Sequence, residues 1–186
     1  MIGSSAVHSA PMIRVAHAAD ATDLSAFAAQ CFRETFHLQN DPADLESYIA
    51  GAFNPDRQVA EINEPSSVVL LADVPYSVAG LRLAGYAHIV QGPAPPEVVG
   101  SDPIELRRLY VGSEWQGRGV AHSLMDAVLA TARTRSAQAL WLGVWERNPR
   151  AIAFYRKHGF ERVGEQTFLL GSDPQRDWLM ARGLSA

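Results

Sequence analysis

The chemistry-bearing residues fall in two stretches. The first, Val111-Gly112-Ser113-Glu114-Trp115-Gln116-Gly117-Arg118-Gly119-Val120-Ala121, joins a strand-like run to a helix-like one. Gly117 and Gly119 precede the helix, where a missing Cβ lets a ligand approach the backbone closely. The first amides of a helix lack internal partners, and the helix dipole adds positive potential, so the junction suits a diphosphate. Arg118 adds a formal charge. The loop lacks the Gly-Lys-Ser/Thr ending of a P-loop, and His122 stands where a dinucleotide fingerprint has its third glycine. The same residues also make a plain glycine turn before a core helix, and the loop alone leaves both readings open. The second stretch runs from Asn148 to Phe160 and contains Tyr155. Glu105, Glu146 and His88 lie on or beside strand-like runs and are groups able to move a proton. Each also has a plain structural reading: Glu105 paired with Arg107 or Arg108, Glu146 solvated before a turn, His88 satisfied in a hairpin.

Local pattern supplies the elements that would position these residues. After a short strand at Ile13-Arg14-Val15, Asp20 is expected to cap a helix over 21–36, with Leu24, Phe27, Ala28, Cys31 and Phe32 inward. Asp41 and Pro42 open a second helix to about Phe53, and a third covers about 55–63. Val68–Val74 and Val78–Val90 read as a hairpin turning near Pro75-Tyr76. Residues 92–103 hold four prolines and two glycines, the composition of an exposed loop. A strand over 104–111, a helix over 119–134 and an apolar strand over 139–145 form a βαβ unit, hence a parallel pair. Val120, Leu124, Val128 and Ala132 mark the helix's buried face. Alternation puts Glu105, Arg107, Leu109 and Val111 on one face of their strand. A helix over 149–158 follows, then an antiparallel pair over 160–170 and 177–182. The sheet is therefore mixed, and the class α/β or α+β.

With 186 residues, 47% hydrophobic and 19% charged, the chain suits one globular domain. The net charge of −4 argues against a nucleic-acid partner. Cys31 is the single cysteine, so no disulfide framework or cysteine-based zinc site is expected. The six histidines are scattered without ligand spacing, and no metal is expected. No run approaches the roughly 20 apolar residues of a membrane span, and no signal peptide stands out. The expectation is a loose N-terminal extension over residues 1–11, a single domain over 12–186 and a cytoplasmic location.

Together the two stretches resemble the GNAT superfamily of acetyl-CoA-dependent N-acetyltransferases. The family's loop pattern Gln/Arg-x-x-Gly-x-Gly/Ala is met by Gln116, Gly119 and Ala121. Its later pattern Asn-x-x-Ala-x-x-Phe-Tyr-x-x-x-Gly-Phe is met by Asn148, Ala151, Phe154, Tyr155, Gly159 and Phe160. The likeness covers about residues 104–170. It implies a single-domain, mostly antiparallel sheet with a splayed central parallel pair and flanking helices. It implies acetyl-CoA as cosubstrate, with the backbone of Leu109, Tyr110 and Val111 beside the pantetheine arm. Gln116, Gly117, Arg118, Gly119, Val120 and Ala121 would hold the pyrophosphate, and Asn148 and Phe154 would lie by the pantetheine. Tyr155 would be the acid that protonates the leaving thiolate, and Glu105 the base, directly or through water. Glu146 and His88 are weaker candidates for the base.

The acceptor is less legible. Residues 34–64 hold seven acids (Glu34, Asp41, Asp44, Glu46, Asp56, Glu61, Glu64) against Arg57, a charge of 1 − 7 = −6, which would attract a cationic amine or simply solvate helix faces. Phe32–Phe36, Tyr48–Phe53 and Trp141–Glu146 also resemble bacterial polyamine N-acetyltransferases of the PaiA type. That likeness implies a polyamine or other small cationic amine as acceptor. A protein or peptide N-acetyltransferase, and a non-catalytic acyl-CoA-binding sensor or interaction module, stay open, as does a homodimer. Trp141 and Cys31 are expected in the core, and Trp145 could line the cleft.

Overall fold

The computed structural model describes residues 10–77 and 80–184. Most of the expected N-terminal extension, residues 1–9, lies outside them. Seven strands form one sheet in the order β1-β2-β3-β4-β5-β7-β6. They are β1 Met12–Val15, β2 Ser67–Ser77, β3 Gly80–Gln91, β4 Ile104–Val111, β5 Ala139–Trp145, β6 Glu161–Leu170 and β7 Asp173–Gly183. β4 and β5 run parallel; every other neighbouring pair is antiparallel. The helices are α1 Ala21–Phe36, α2 Pro42–Ala52, α3 Pro55–Asn63, α4 Val120–Thr134 and α5 Pro149–Lys157.

Each face of the sheet carries its own core. On one side Val120, Leu124, Val128 and Ala132 of α4 and Ile152 of α5 pack on Ile89, Ile104, Leu106, Leu140 and Leu142. On the other, Leu24, Ala28 and Phe32 of α1 and Leu45 and Ile49 of α2 pack on Leu71, Tyr86 and Leu170. Burying each such large side chain is worth roughly 1.5–3 kcal/mol. β5 is apolar throughout because it is covered on both faces: Leu140 and Leu142 belong to the first core, while Ala139 and Trp141 pack with Val98 and Leu179.

Local expectations fail where side chains find stronger partners. Asp20 does not cap α1. Arg14 takes its carboxylate at 2.8 Å and the His17 amide donates to it at 2.8 Å, closing a short turn ahead of the helix. Pro75 and Tyr76 do not make the hairpin turn. Pro75 stays in β2 at a register irregularity, where a missing N–H is tolerated, and Ser77 still pairs with Gly80. The proline-rich segment is not wholly exposed, since Val98 is buried against Trp141. β7 starts at Asp173 rather than near 177, because β6 pairs with it along its length. Asp41 caps α2 as expected, accepting from the amides of Ala43 and Asp44.

Candidate active site

β4 and β5 are in register at only two pairs, Ile104 with Leu140 and Glu105 with Trp141. Beyond Glu105 they part, and a cleft of about 480 Å³ opens between them. A bulge shapes the β4 wall. His88 pairs with Arg108 and Ile89 with Leu106, so Arg107 is one residue too many for β3. The extra residue reverses the alternation. Leu109 and Val111 therefore follow Ile104 and Leu106 onto the α4 face, while Tyr110 packs on the α1 side. The expectation that Glu105 shares a face with Leu109 and Val111 fails for this reason.

One side of the cleft is made largely of backbone. Leu109, Tyr110 and Val111 line the cleft and pair with Ala87, Tyr86 and Gly85 on one edge only. Their other edge has no strand partner among the described residues and can pair with an extended amide chain. Gly119 stands at the N-cap of α4 with φ of +85°, and no side chain caps the helix. That left-handed geometry favours glycine, and it leaves the first-turn amides to an anion. No acid sits in that turn. Gln116 and Ala121 line the cleft. Gln116 ties the loop down, donating to the Val111 carbonyl at 3.2 Å and accepting from Arg150 at 2.5 Å. Gly117, Arg118 and Gly119 are exposed beside them rather than in the lining, with the Arg118 guanidinium 5.4 Å over the Trp115 ring. The Val120 side chain is buried in the core, so only its backbone can face a ligand.

Asn148, Phe154 and Tyr155 line the opposite wall. Asn148 also caps α5, its side-chain oxygen accepting from the Ala151 amide at 3.1 Å. Tyr155 is buried with its ring against Phe160. Burial pushes its phenol well above the ordinary value, so the hydroxyl keeps its proton. Glu105 also lines the cleft, with one carboxylate oxygen accepting from the Arg107 guanidinium at 2.8 and 3.1 Å. Tyr155 and Glu105, from separate elements, thus meet in one cavity.

The other proton-moving candidates lie elsewhere. Glu146 is outside the lining and ion-paired to Arg176 at 2.6 Å. His88 is buried beside the Ser67 hydroxyl at 2.8 Å, and burial drives its imidazole down to about 3, so it stays neutral. Trp145 lines the cleft and meets Phe36 edge-on at 5.8 Å. Trp141 is core, and Cys31 is buried, its thiol pushed up to about 12 chiefly by burial.

Several lining residues escape sequence reasoning: Arg107, Arg108, Gln166, Gln175 and above all Asp177 on β7. Burial lifts the Asp177 carboxyl to about 6. One available signal was Gly143, a glycine inside an apolar strand, the mark of a close approach. A Cβ there would lie 2.5 Å from the Gln166 amide and 3.3 Å from an Asp177 oxygen. Beneath the cleft Arg108 donates to buried Glu61 at 2.5 Å. None of the seven acids of 34–64 lines the cavity. Among the described residues no group of three His, Cys, Asp or Glu side chains forms a metal site, and no helix is long and apolar enough to cross a membrane.

A family model described as the acetyltransferase (GNAT) family matches residues 27–160. The chain belongs to that family. An uncharacterised N-acetyltransferase of Lactobacillus delbrueckii subsp. lactis is 32% identical over 165 residues, spanning 89% of this chain and 92% of the relative. An uncharacterised N-acetyltransferase of Mycobacterium tuberculosis is 33% identical over 165 residues, spanning 89% and 98%. The solved PaiA N-acetyltransferase of Thermoplasma acidophilum, in complex with coenzyme A, superposes with a TM-score of 0.73 at 19% identity, covering 93% of this chain and 98% of that one. At that identity the last likeness is one of fold. The protein is an acetyltransferase, and acetyl-CoA is its acetyl donor.

Proposed function

We propose that the acetyltransferase moves the acetyl group directly to a primary amine in a ternary complex, the acceptor being a small cationic amine such as a polyamine. One observation carries the transfer reading: the unpaired edge of β4 leads straight to the uncapped N-terminus of α4. Pantetheine amides suit the edge at Leu109–Val111, and the diphosphate suits the amides of Gly119–Ala121, with Gln116 and Arg118 alongside. Asn148 and Phe154 flank the arm. The acceptor enters from the side walled by α1, α2, β6 and β7. Likeness to PaiA-type sequences and the cleft's unpaired carboxylate support a cationic acceptor. Cytoplasm is the proposed compartment.

The protons balance as follows. Glu105 accepts one proton from the acceptor's ammonium, directly or through water. The freed nitrogen bonds to the thioester carbonyl carbon and the C–S bond breaks. The Tyr155 hydroxyl gives its proton to the departing sulfur and is restored by the proton still in excess on nitrogen. The products are an amide and coenzyme A thiol.

Thiol release from acetyl-CoA with a panel of monoamines, polyamines, amino acids and a peptide bearing a free N-terminus tests this reading. Release above background with a cationic amine supports it. Release with none of them would remove these amine classes as acceptors. Gly119→Trp should cost acetyl-CoA at least about tenfold in affinity, about 1.4 kcal/mol. Unchanged affinity in the folded variant would remove the diphosphate from this loop.

A further inference from the structure

Other charged groups in the cleft have side-chain partners within the chain. Glu105 accepts from Arg107, Arg108 from β4 is held by Glu61, and Arg150 donates to Gln116. Asp177 differs. It is only 8% exposed, yet no hydrogen bond or ion pair reaches its carboxylate among the described residues. Its register partners are Gln166 on β6 and Trp145 on β5. The missing side chain at Gly143 makes room for Gln166 and Asp177 together. The same cavity presents the rings of Phe36, Trp145, Tyr48 and Phe168. A desolvated carboxylate without a partner is costly, and aromatic faces favour a cation beside it.

We propose that Asp177 is the subsite for a second, non-reacting ammonium group of the acceptor, which makes the acceptor a diamine or longer polyamine rather than a monoamine. The proposal rests on the transferase reading above. The division of labour follows from charge. An unpaired carboxylate stabilises an ammonium in its protonated, unreactive form, so it serves best for the nitrogen that is not acetylated. Glu105, already offset by Arg107, stabilises an ammonium less strongly, which suits the nitrogen that must lose its proton. With its carboxyl near 6, Asp177 is mostly ionised at neutral pH and ready for a cation.

The test measures binding of putrescine, cadaverine and spermidine, against n-butylamine and n-pentylamine, to the protein saturated with coenzyme A, by calorimetry. It is run on wild type, Asp177→Asn and Asp177→Glu, with initial acetylation rates alongside. Wild type should bind diamines at least about tenfold more tightly than monoamines of equal length. Asp177→Asn should erase that gap, leave coenzyme A affinity unchanged and raise Tm. Asp177→Glu should keep part of the gap. A diamine preference that survives in Asp177→Asn, no such preference in wild type, or a fall in Tm that marks a structural role overturns the proposal. Diamine binding through Asp177 without any acetylation would sustain the subsite and sink the reading of these amines as acetyl acceptors. Acetylation of amines with no dependence on Asp177 would do the reverse.

Discussion

The two walls of the cleft are built from different materials. The wall proposed for the donor is backbone: a strand edge released where β4 leaves β5, and a helix start exposed by Gly119. The wall proposed for the acceptor is side chain: Phe36 from α1, Tyr48 from α2, Gln166 and Phe168 from β6, Asp177 from β7. A backbone site needs only a local conformation, so it leaves a short, continuous signature. A side-chain site gathered from four segments leaves none, because what matters is register between strands far apart in sequence.

Removing the Tyr155 hydroxyl, on the wall opposite the β4 edge, should have the largest effect. Tyr155→Phe keeps the ring against Phe160 and deletes the one proton. Turnover should fall by about 10²–10⁴ while acetyl-CoA affinity holds, read by thiol release and by equilibrium binding. A loss of only a few-fold would mean that the ring packs and another group, or water, protonates the sulfur.

The matching break in the acceptor wall lies beneath it and shows in stability. Glu61 is buried and accepts from Arg108 and Arg57. Burial pushes its carboxyl up, but the hydrogen bond and charge of Arg108 outweigh that, and the net shift is down. Glu61→Gln strands a buried guanidinium, and unfolding by denaturant should show about 3–5 kcal/mol lost. A loss below ~1 kcal/mol would mean water already reaches Arg108. Because the folded carboxyl lies low, the wild-type pair stabilises above the ordinary carboxyl range, and its contribution fades as pH falls through the depressed value.

How much was legible follows the same division. β5 was readable as Ala139–Trp145 because burial on both faces makes it continuously apolar, and α4 was readable from Val120, Leu124, Val128 and Ala132 at helical spacing. Asp41-Pro42 announced α2 through local capping. The bulge at Arg107 was invisible, since nothing in Leu106-Arg107-Arg108 says that β3 skips a residue. With it went the facing of Leu109 and Val111. Asp177 was hidden because its surroundings come from register with Trp145 and Gln166. Asp20 misled because a nearby Arg14 competes with a helix cap for the same carboxylate.

Asp177 sharpens the comparison with a smaller effect of opposite sign. Burial alone raises its carboxyl to about 6. The native state then holds this proton more tightly than the unfolded chain does. Stability from the group is complete below the ordinary carboxyl range and is lost as pH rises through about 6. Asp177→Asn should therefore gain about 1–3 kcal/mol at neutral pH and nothing at pH below about 4, measured by denaturation at several pH values. Loss rather than gain would show an internal partner for the carboxylate. Ligand binding has the reverse sign, since the ionised form holds the cation, so diamine affinity should weaken as pH drops through about 6. The groups around Asp177 that could confuse this titration are few. Gln166, Gln175 and Trp145 do not titrate there, burial raises the Tyr48 phenol further from neutrality, and Glu105–Arg107 and Arg108–Glu61 are paired.

The smallest effect belongs to the acidic helices, whose −6 charge would otherwise look like the feature that draws a cation. In the folded chain at least five of the seven acids are occupied locally. Glu46 pairs with Arg33 at 2.7 Å, Glu34 accepts from Gln30, Asp41 caps α2, Asp44 accepts from the Ser172 amide and Glu61 holds Arg108. None faces the cavity, and at ~0.15 M salt exposed charges are screened beyond about 8 Å. Neutralising Glu34 and Glu46 together to Gln should leave the diamine KM within about twofold of wild type at that salt, because neither charge is in contact range of the cleft. Asp177→Asn under the same conditions should move it at least about tenfold. A double Gln variant that weakens diamines as much as Asp177→Asn does, with the loss vanishing in high salt, would return the acceptor's recognition to the long-range field of α1 and α2.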